Sequence, residues 1–527
     1  MGVLCPPPSQ AAAAAAVAFL SLKLASTGCS DVSSAANSFH SSCFHPRRSP
    51  SSCDGGSARW RRRSSSCGNK GLGPGFSEFC RQTQEAKSSR MMREYDGVAK
   101  ILAATGGGGA ARQATYVAET HESDELGTTS NKDLCSTTRG LCDTVIGVLG
   151  GGQLGRMLCE AASPMGIRVS ILDPSQDCPA ARIAYHHVLG SFQDMVAVQQ
   201  FAQGCGALTV EIEHVDVETL EALARKGFDV EPTPFTIRVI QDKYLQKMHF
   251  KQHGVALPDF MKVDSLESAE EAGRVLGYPF MLKSRRLAYD GRGNSAVKSK
   301  DEVLKAVASL GGFERGLYVE KWAPFVKELA VMVARGRDGC IKSFPVVETT
   351  HKDNICHTVE APAQIPTEIA SIAMEVAERA VGSLTGAGVF GVELFLLKDG
   401  EVLLNEVAPR PHNSGHYTIE ACYVSQYEQH LRAVLGLPLG DPSMKVPASL
   451  MFNLLGEAEG DEGFTLAHHT MRRATAVSGA SVHWYEKPEI RKQRKMGHIT
   501  VVGETIDICR ARINWITNGE GSKSMPI

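Results

Sequence analysis

The sequence predicts an α/β protein with three globular units behind a long N-terminal segment. A short apolar strand runs into a glycine-rich turn and a helix at residues 144–155. Strand and helix patterns then alternate from residue 258 to 446, and a shorter segment at 447–503 contains mainly strand patterns. Alternation of this kind in the first unit indicates a parallel sheet. We therefore predict units at residues 143–257, 258–446 and 447–503.

The first 142 residues differ in composition from the rest of the chain. Residues 1–95 contain an alanine run, several serine runs and an arginine cluster, with eleven Lys and Arg against four Asp and Glu up to residue 90. A Ser- and Arg-rich, acid-poor beginning is typical of an organelle transit peptide, so we expect a disordered segment and a chloroplast location, with the mitochondrion second. A secretory signal is disfavoured because no basic residue precedes the apolar stretch 11–22. Residues 96–142 are predicted to be a flexible linker.

Charge and composition argue against several classes of function. The net charge of −2 and the pI near 6.8 give no sign of a nucleic-acid or membrane-surface partner. No apolar run reaches the roughly 18 residues that a membrane-spanning helix needs. Of the 15 cysteines, eight precede Asp143 and seven are scattered through the predicted units without a CxxC pair. We expect reduced thiols in the globular part and no zinc site.

The glycine-rich turn of the first unit has more than one interpretation. Gly150-x-Gly152-x-x-Gly155 follows a strand, and Asp173 ends the next strand twenty-one residues after Gly152. This spacing matches the Rossmann dinucleotide fingerprint and favours a Rossmann-like unit. The turn itself guarantees only a helix N-terminus whose N–H groups bind a phosphate or a carboxylate. A dinucleotide, another anion and a turn without a ligand all stay open.

The second unit carries several features suited to a nucleoside triphosphate. Lys283 ends an apolar strand, and the flexible turn 290–294 begins seven residues later. Backbone N–H groups of such a turn can fold over phosphates. Residues 320–323 end another strand, where the backbone can pair with an adenine edge, and Glu328 can accept from ribose hydroxyls. Each feature alone is often a solvated lysine or an ordinary hairpin turn; their order and spacing favour a nucleotide.

The most informative stretch lies between residues 393 and 416. Glu393 lies in one predicted strand, and Asn405 and Glu406 end the next one. Carboxylate and amide oxygens at neighbouring strands suit Mg²⁺ held against a triphosphate. Donors for a small anion near the γ-phosphate follow directly, namely Arg410, His412 and Asn413. A structural salt bridge for the arginine, and core positions for His412 and His416, are the alternatives.

Together these motifs resemble one enzyme family, the ATP-grasp N5-carboxyaminoimidazole ribonucleotide synthases of purine biosynthesis, which also form the synthase portion of phosphoribosylaminoimidazole carboxylases. The resemblance spans residues 144–502, and its motifs are Gly150-Gly-Gly-Gln-Leu-Gly-Arg-Met157, Glu211-Ile-Glu-His214, Gln241-Asp-Lys243, Tyr289-Asp-Gly-Arg-Gly293, residues 320–325 with Lys327-Glu328, residues 409–416 and Arg494-Lys-Met-Gly-His498. It implies an ATP-grasp fold with an N-terminal Rossmann-like pre-ATP-grasp domain and a small β-rich C-terminal domain. ATP would lie between the two lobes of the ATP-grasp domain.

The resemblance also implies the residues that bind ATP and Mg²⁺. The ATP-binding residues would be Lys243, Lys283, Ala288, Tyr289, Asp290, Gly291, Arg292, Gly293, Asn294, Glu320, Lys321, Trp322, Ala323, Glu328, His351, Asn405 and Glu406. The metal ligands would be Glu393 and Glu406. Two positions depart from bacterial relatives: residues 286–288 replace glycines before the loop, and residue 243 is Lys where many have Arg. We expect altered affinity and retained ATP binding.

The implied reaction joins ATP, bicarbonate and 5-aminoimidazole ribonucleotide. Bicarbonate would be phosphorylated to carboxyphosphate, which releases CO₂ beside the exocyclic amine. Lys283 would neutralise charge on the transferred phosphoryl group, and Arg410, His412 and Asn413 would position bicarbonate. The ribonucleotide would be bound by Gly152, Gln153, Glu213, Lys487, Arg494 and Lys495. The alternative for residues 487–495 is a solvated surface loop.

The end of the chain departs from the pattern of plant and fungal relatives, which continue into a second catalytic domain. Residues 504–527 do not resemble the helix that usually closes the third unit, so we expect an atypical tail and a truncated or alternatively spliced product. Competing hypotheses are another ATP-grasp enzyme, using formate or biotin, a dehydrogenase built on the glycine turn, and an inactive regulatory isoform. The resemblance also implies a homodimer with small-molecule substrates only.

Overall fold

The computed structural model describes residues 141–287 and 293–519 of the chain. Three β-sheets organise these residues, with four, nine and four strands. The predicted targeting segment, most of the linker, the loop 288–292 and residues 520–527 lie outside the described residues.

The first unit is a parallel sheet covered by helices on both faces, as predicted. Its strands pair in the order β3-β2-β1-β4, and their bounds are β1 Val145–Leu149, β2 Arg168–Asp173, β3 His186–Leu189 and β4 Ala207–Val210. The helices are α1 Gln153–Ala162, α2 Met195–Ala202, α3 Val217–Arg225 and α4 Pro234–Gln241. The central strands are apolar on both sides, which is why each face of the sheet has its own buried core.

The sequence pattern around residues 238–253 predicts a single helix, but two helices form there in the structure. α4 ends at Gln241, and α5 runs from Lys243 to Gln252. Asp242 separates them in an extended conformation, and its carboxylate accepts from the N–H groups of Tyr244 and Leu245, both at 3.1 Å. The prediction of one helix was wrong because this N-cap satisfies the first turn of a new helix.

A small antiparallel sheet follows, with its strands in the order β5-β8-β6-β7. Its elements are β5 Phe260–Val263, α6 Leu266–Leu276, β6 Phe280–Ser284, β7 Asn294–Val297, α7 Val303–Ser309 and β8 Leu317–Lys321. The two helices and the apolar face of the sheet enclose one core. This sheet is the smaller lobe of the second unit.

The larger lobe belongs to the nine-stranded sheet. Its elements are β9 Phe325–Arg335, β10 Ile341–Ser343, β11 Val347–Lys352, β12 Ile355–Ala361, α8 Thr367–Gly382, β13 Gly388–Leu397, β14 Val402–Ala408, α9 Thr418–Ala421 and α10 Gln426–Val434. Helix α8 packs on β9, β13 and β14 through a core of alanines and branched residues. Helix α10 lies against β13 and β9 and also packs against α1 and the core of the first unit, through Tyr427, Leu431 and Val434.

The third unit continues the same sheet. Its elements are β15 Ala448–Leu455, α11 Gly460–Thr475, β16 Ala480–Trp484, β17 Lys495–Gly503 and α12 Ile506–Asn518. Strand β15 pairs with β12 of the second unit and with β17, so no gap separates the two units in the sheet.

The expectation of an atypical tail after residue 503 was wrong for residues 506–518. They form helix α12, which begins after the N-cap Thr505 and buries Cys509, Ile513 and Ile516 in the core of the third unit. The helical spacing of apolar residues extends over only about three turns and is followed by the mainly polar segment 517–527, so the helix was not recognised from the sequence.

The thiol prediction for the globular part is confirmed where it is described: all eight cysteines from Cys142 to Cys509 are free. Within residues 141–287 and 293–519, no helix is both long and apolar enough to span a membrane.

Candidate active site

Two carboxylates face each other on the last two strands at one edge of the nine-stranded sheet. Glu393 of β13 and Glu406 of β14 are direct partners in the antiparallel register. The amide nitrogen of Asn405 donates to Glu393 Oε2 at 3.2 Å. A register shift follows Glu393 and lets Asn405 reach across the pair. The sequence therefore predicted this juxtaposition correctly.

The electrostatics of the pair suit a cation. Burial and the neighbouring charge of Glu406 raise the pKa of Glu393 to about 7, against the opposing effects of His351 and Lys243. The ammonium of Lys243 donates to Glu406 Oε2. Since two hard oxygen donors repel one another here, a divalent cation between them would relieve the repulsion.

The segment after β14 brings His412 beside the carboxylates. His412 Nε2 lies 3.5 Å from Glu393 Oε1. The side chain of Gln426 holds the backbone of His412 at both polar atoms, accepting from its N–H at 3.0 Å and donating to its C=O at 2.8 Å. A Cβ at Gly391 would stand 2.4 Å from the Cβ of His412, so this approach requires glycine. Burial, with the charges of Arg410 and Lys495, lowers the pKa of His412 to about 3, which keeps the ring neutral.

Arg410 joins the second unit to the first. Its Nε lies 2.6 Å from Glu213 Oε2, and both side chains are largely buried. Burial alone would raise the pKa of Glu213, but the guanidinium of Arg410 outweighs it and lowers that pKa to about 2. Glu213 was predicted to contact the substrate amine or ribose; in the structure its carboxylate is the partner of Arg410.

Two other predicted residues of the segment behave differently from one another. The amide of Asn413 is buried, and among the described residues only the thiol of Cys356 lies beside it as a polar partner. His416 is a core residue, because its ring is fully buried and its Nδ1 is hydrogen-bonded to the hydroxyl of Tyr427 at 2.8 Å. The structural interpretation of His416 is therefore correct.

The predicted nucleotide residues are divided between the two lobes. Lys283 Nζ lies 3.0 Å from Glu320 Oε1, and His351 Nδ1 lies 2.7 Å from Glu328 Oε2. The Glu320 side chain is buried, so only its backbone remains for an adenine edge. Lys321 pairs with Asp259 at the surface, and the exposed Trp322 follows it. Of the predicted loop, Ala288, Tyr289, Asp290, Gly291 and Arg292 lie outside the described residues, while Gly293 and Asn294 lead into β7.

The glycine turn was predicted to bind an anion such as a phosphate. In the structure its N–H groups already donate to side-chain carboxyl groups. The N–H of Gly151 donates to Asp173 Oδ2 at 2.8 Å, and the N–H groups of Gly152 and Gly155 donate to the carboxylate of Glu211. Burial raises the pKa of this carboxylate against those hydrogen bonds. The side-chain carboxyl group of Glu211 thus occupies the helix N-terminus, and this argues against a dinucleotide pyrophosphate there.

Gln153 of the same turn contacts the third unit. Its Oε1 accepts from Lys487 Nζ at 2.9 Å, and Lys487 also donates to the carbonyl of Lys495 at 2.7 Å. These three predicted substrate residues are therefore brought together. Arg494 donates to the carbonyl of Glu489 within its own loop, at 2.8 Å, and is turned away from them.

Sequence reasoning missed three buried charged residues. Asp242 binds the guanidinium of Arg285 through two contacts of 3.0 and 2.7 Å, Glu211 caps helix α1, and Lys247 lies 2.9 Å from Glu320 Oε2. The only available signal for Lys247 was its spacing, four residues after Lys243 on a helix. Glu211 and Asp242 stood inside recognised motifs, but without an assigned contact.

Three family models match consecutive parts of the chain. Residues 144–241 match the ribonucleotide synthetase preATP-grasp domain, residues 248–427 the ATP-grasp domain, and residues 449–512 the phosphoribosylaminoimidazole carboxylase C-terminal domain. The chain is 58% identical over 382 residues to the chloroplastic phosphoribosylaminoimidazole carboxylase of Vigna aconitifolia. This alignment covers 72% of this chain and 68% of the Vigna protein. It is 39% identical to the N5-carboxyaminoimidazole ribonucleotide synthase of Synechococcus elongatus, covering 68% of this chain and 89% of that one.

Solved structures give the same result. The carboxyaminoimidazole ribonucleotide synthase of Aspergillus clavatus complexed with ATP aligns with a TM-score of 0.67 and 42% identity, over 71% of this chain and 97% of that one. The same enzyme in complex with ADP and 5-aminoimidazole ribonucleotide aligns with a TM-score of 0.67 and 41% identity, over 71% and 98%.

The match to the ATP-grasp domain, together with a two-lobed unit that follows a parallel-sheet unit, identifies the chain as an ATP-grasp enzyme. Within that class the chain belongs to the family of N5-carboxyaminoimidazole ribonucleotide synthases.

Proposed function

We infer that this chain is a ligase that carboxylates the amine of 5-aminoimidazole ribonucleotide, using ATP and bicarbonate, in purine biosynthesis. The observation that carries this inference is the cluster of Glu393, Glu406, His412 and the Arg410–Glu213 pair at the junction of the units. A relative of this chain is described in complex with ADP and 5-aminoimidazole ribonucleotide, which supports the same substrates here.

The carboxylate pair fits Mg²⁺. Glu393 and Glu406, with Asn405 beside them, would hold the ion, and when bound it would offset charge on the phosphates of ATP. Lys243 already contacts Glu406, and Lys283 lies on the facing lobe, so both ammonium groups are available to phosphate oxygens. Glu328 and the stretch 320–323 would hold the ribose and the adenine.

The chemistry then needs an activated carbonate. An oxygen of bicarbonate attacks the γ-phosphorus of ATP, the bond to the β-phosphate oxygen breaks, and ADP leaves. Carboxyphosphate releases CO₂ and phosphate, and the substrate nitrogen attacks the CO₂ carbon while phosphate accepts the amine proton. Arg410, neutral His412 and Asn413 would orient the carbonate through N–H donors. Asn413 is buried and the other two side chains are each 17% exposed, which limits access of water.

The ribonucleotide would lie on the opposite side of Arg410 from ATP. Gln153 and Lys487 contact one another, and Lys487 also donates to the backbone carbonyl of Lys495. The amide of Gln153 and the ammonium groups of Lys487 and Lys495 would bind the phosphate of the ribonucleotide. With the Gly151 and Gly152 amides occupied, we place the phosphate nearer to these side chains than to the turn itself.

We propose a plastid location, supported by the chloroplastic name of the Vigna relative and by the composition of residues 1–95.

Phosphate release from ATP tests the proposed function. Purified chain should release phosphate when ATP, Mg²⁺, bicarbonate and 5-aminoimidazole ribonucleotide are all present, and formate should not replace bicarbonate. Omission of the ribonucleotide should reduce release, since CO₂ capture completes the reaction. A chain that binds ATP but turns over without any dependence on bicarbonate would refute the proposal.

A further inference from the structure

A buried triad of charges lies between the two lobes. Glu320 of β8 has Lys283 Nζ 3.0 Å from its Oε1 and Lys247 Nζ 2.9 Å from its Oε2. Lys247 also donates to the backbone carbonyl of Leu404, in β14 of the large lobe, at 3.1 Å. One lysine of helix α5 therefore contacts both lobes.

The three side chains differ in exposure. Lys247 and Glu320 are 2% and 3% exposed, whereas Lys283 is 14% exposed. Lys283 is thus the member of the triad that can reach a ligand between the lobes. Lys247 is enclosed and can only act through its neighbours.

The charges of the triad do not cancel. Burial acts to raise the pKa of Glu320, but the two lysines outweigh it and lower that pKa, so the carboxylate is ionised. Burial lowers the pKa of Lys247, and the charge of Glu320, 2.9 Å away, opposes that effect. With both lysines protonated, one carboxylate faces two ammonium groups, which leaves one positive charge in a largely buried region. Such an excess is costly unless an anion neutralises it. A pair of Glu320 and Lys283 alone would be neutral and would have no such need.

We propose that Lys247 is a positioning residue for ATP: by sharing Glu320 with Lys283, it leaves the charge of Lys283 available to a phosphate. The inference rests on the proposed function, because it names ATP as the anion. The spacing of the lysines in α5 allows this arrangement. Lys243 and Lys247 are four residues apart, so they lie on the same face of the helix, one directed at Glu406 and the other at Glu320.

Equilibrium binding of ATP with Mg²⁺ to the full chain, without bicarbonate or ribonucleotide, tests the proposal by calorimetry. Lys247→Met makes the triad neutral and should raise the Kd for ATP by about tenfold or more, since one unit of positive charge is lost near the phosphates. The double variant Lys247→Met/Glu320→Gln restores the net charge of the wild type and should recover a Kd within about threefold. Lys251→Met, an exposed lysine of the same helix, should bind ATP as the wild type does.

Recovery of ATP binding in the double variant would show that Lys247 acts through its charge. If Lys247 only filled space, removal of the Glu320 carboxylate would not restore binding. Unchanged binding by Lys247→Met, or weak binding by a folded double variant, would overturn the proposal. Thermal unfolding checks that each variant is folded. If Lys247→Met does not fold, the double variant and Lys247→Arg provide the test, since both keep the net charge of the wild type. ATP binding by both variants supports the proposal. Loss of binding or of folding in both variants overturns it. A wild-type chain that binds ATP but releases no phosphate would instead contradict the proposed function.

Discussion

Arg410 is the residue at which the first and second units meet in the site. Its guanidinium lies 2.6 Å from Glu213 and belongs to the group assigned to carbonate. Arg410→Ala should reduce carboxylation on the order of 10²-fold, because it removes a preorganised donor, while ATP binding survives. Product formation and the Kd for ATP measure the two effects separately. Loss of ATP binding in a folded variant would contradict this division of labour.

Glu406 is the residue whose role depends most directly on Mg²⁺. Glu406→Gln keeps the shape of the side chain but removes the charge that faces Glu393 and Lys243, so turnover should fall by roughly 10²-fold or more. Steady-state phosphate release measures this, with circular dichroism as a check of the fold. Glu401→Gln, an exposed carboxylate just before the same strand, is the matched control and should leave turnover unchanged. Full activity of the Glu406 variant would remove the role in metal binding.

At this scale, the sequence predicted residues that lie close together in the chain or in paired strands. Glu393 and Glu406 are close because a hairpin joins their strands, and both strand ends were readable from the alternation of apolar residues. The partner of the Gly152 amide could not be predicted, because Glu211 lies 59 residues away and reaches it only through the parallel order of β1 and β4. The contact between Lys247 and Glu320 could not be predicted for the same reason, because the two residues are far apart in the sequence.

Helix α12 shows the corresponding limit for elements. The strands of the third unit were predicted from their residue types, but its helices α11 and α12 were not, so the expected β-rich unit is a mixed one. The apolar face of α12 is short and ends in polar residues. Its burial depends on β15 and β17, which already form a sheet with the second unit. Tertiary packing rather than local preference therefore determines this helix.

Ile516 is the test of that packing. It is fully buried in the core of the third unit, so Ile516→Ala should destabilise the protein by about 2–5 kcal/mol. Chemical denaturation measures the change in unfolding free energy. Asn514→Ala changes an exposed position of the same helix and should stay within about 0.5 kcal/mol of the wild type. Equal effects of the two substitutions would show that α12 does not pack as described.

At the scale of the whole molecule, the three units are joined by polar contacts at the site and by apolar packing behind it. Arg410 with Glu213 and Gln153 with Lys487 connect units that are far apart in the sequence. Helix α10 covers the first sheet, and its His430 accepts from the N–H of Val389 at 3.0 Å and contacts Thr209 Oγ1 at 2.9 Å. The order of the units was predictable from the motifs, but this arrangement was not, because it depends on side chains that meet across units.

The buried imidazoles at these junctions predict how stability depends on pH. Burial lowers the pKa of His430 to about 3 and the pKa values of His416 and His498 well below the ordinary range. In the unfolded chain each histidine takes up a proton near pH 6.5, so the unfolded state binds more protons than the folded state below that pH. Their contribution to stability is therefore complete above pH 6.5 and is lost as the pH falls, by about 1.4 kcal/mol per pH unit for each ring.

Denaturation at pH 7.5, 6.5 and 5.5 should show a free energy of unfolding that falls with acidification. His430→Gln keeps a donor and an acceptor for Thr209 and Val389 but cannot take up a proton, so the fall should be shallower in this variant even where its stability is lower throughout. His469→Gln, on the exposed face of α11, should retain the slope of the wild type. A slope that is the same in His430→Gln and in the wild type would mean that His430 is not held neutral at the junction of the first two units.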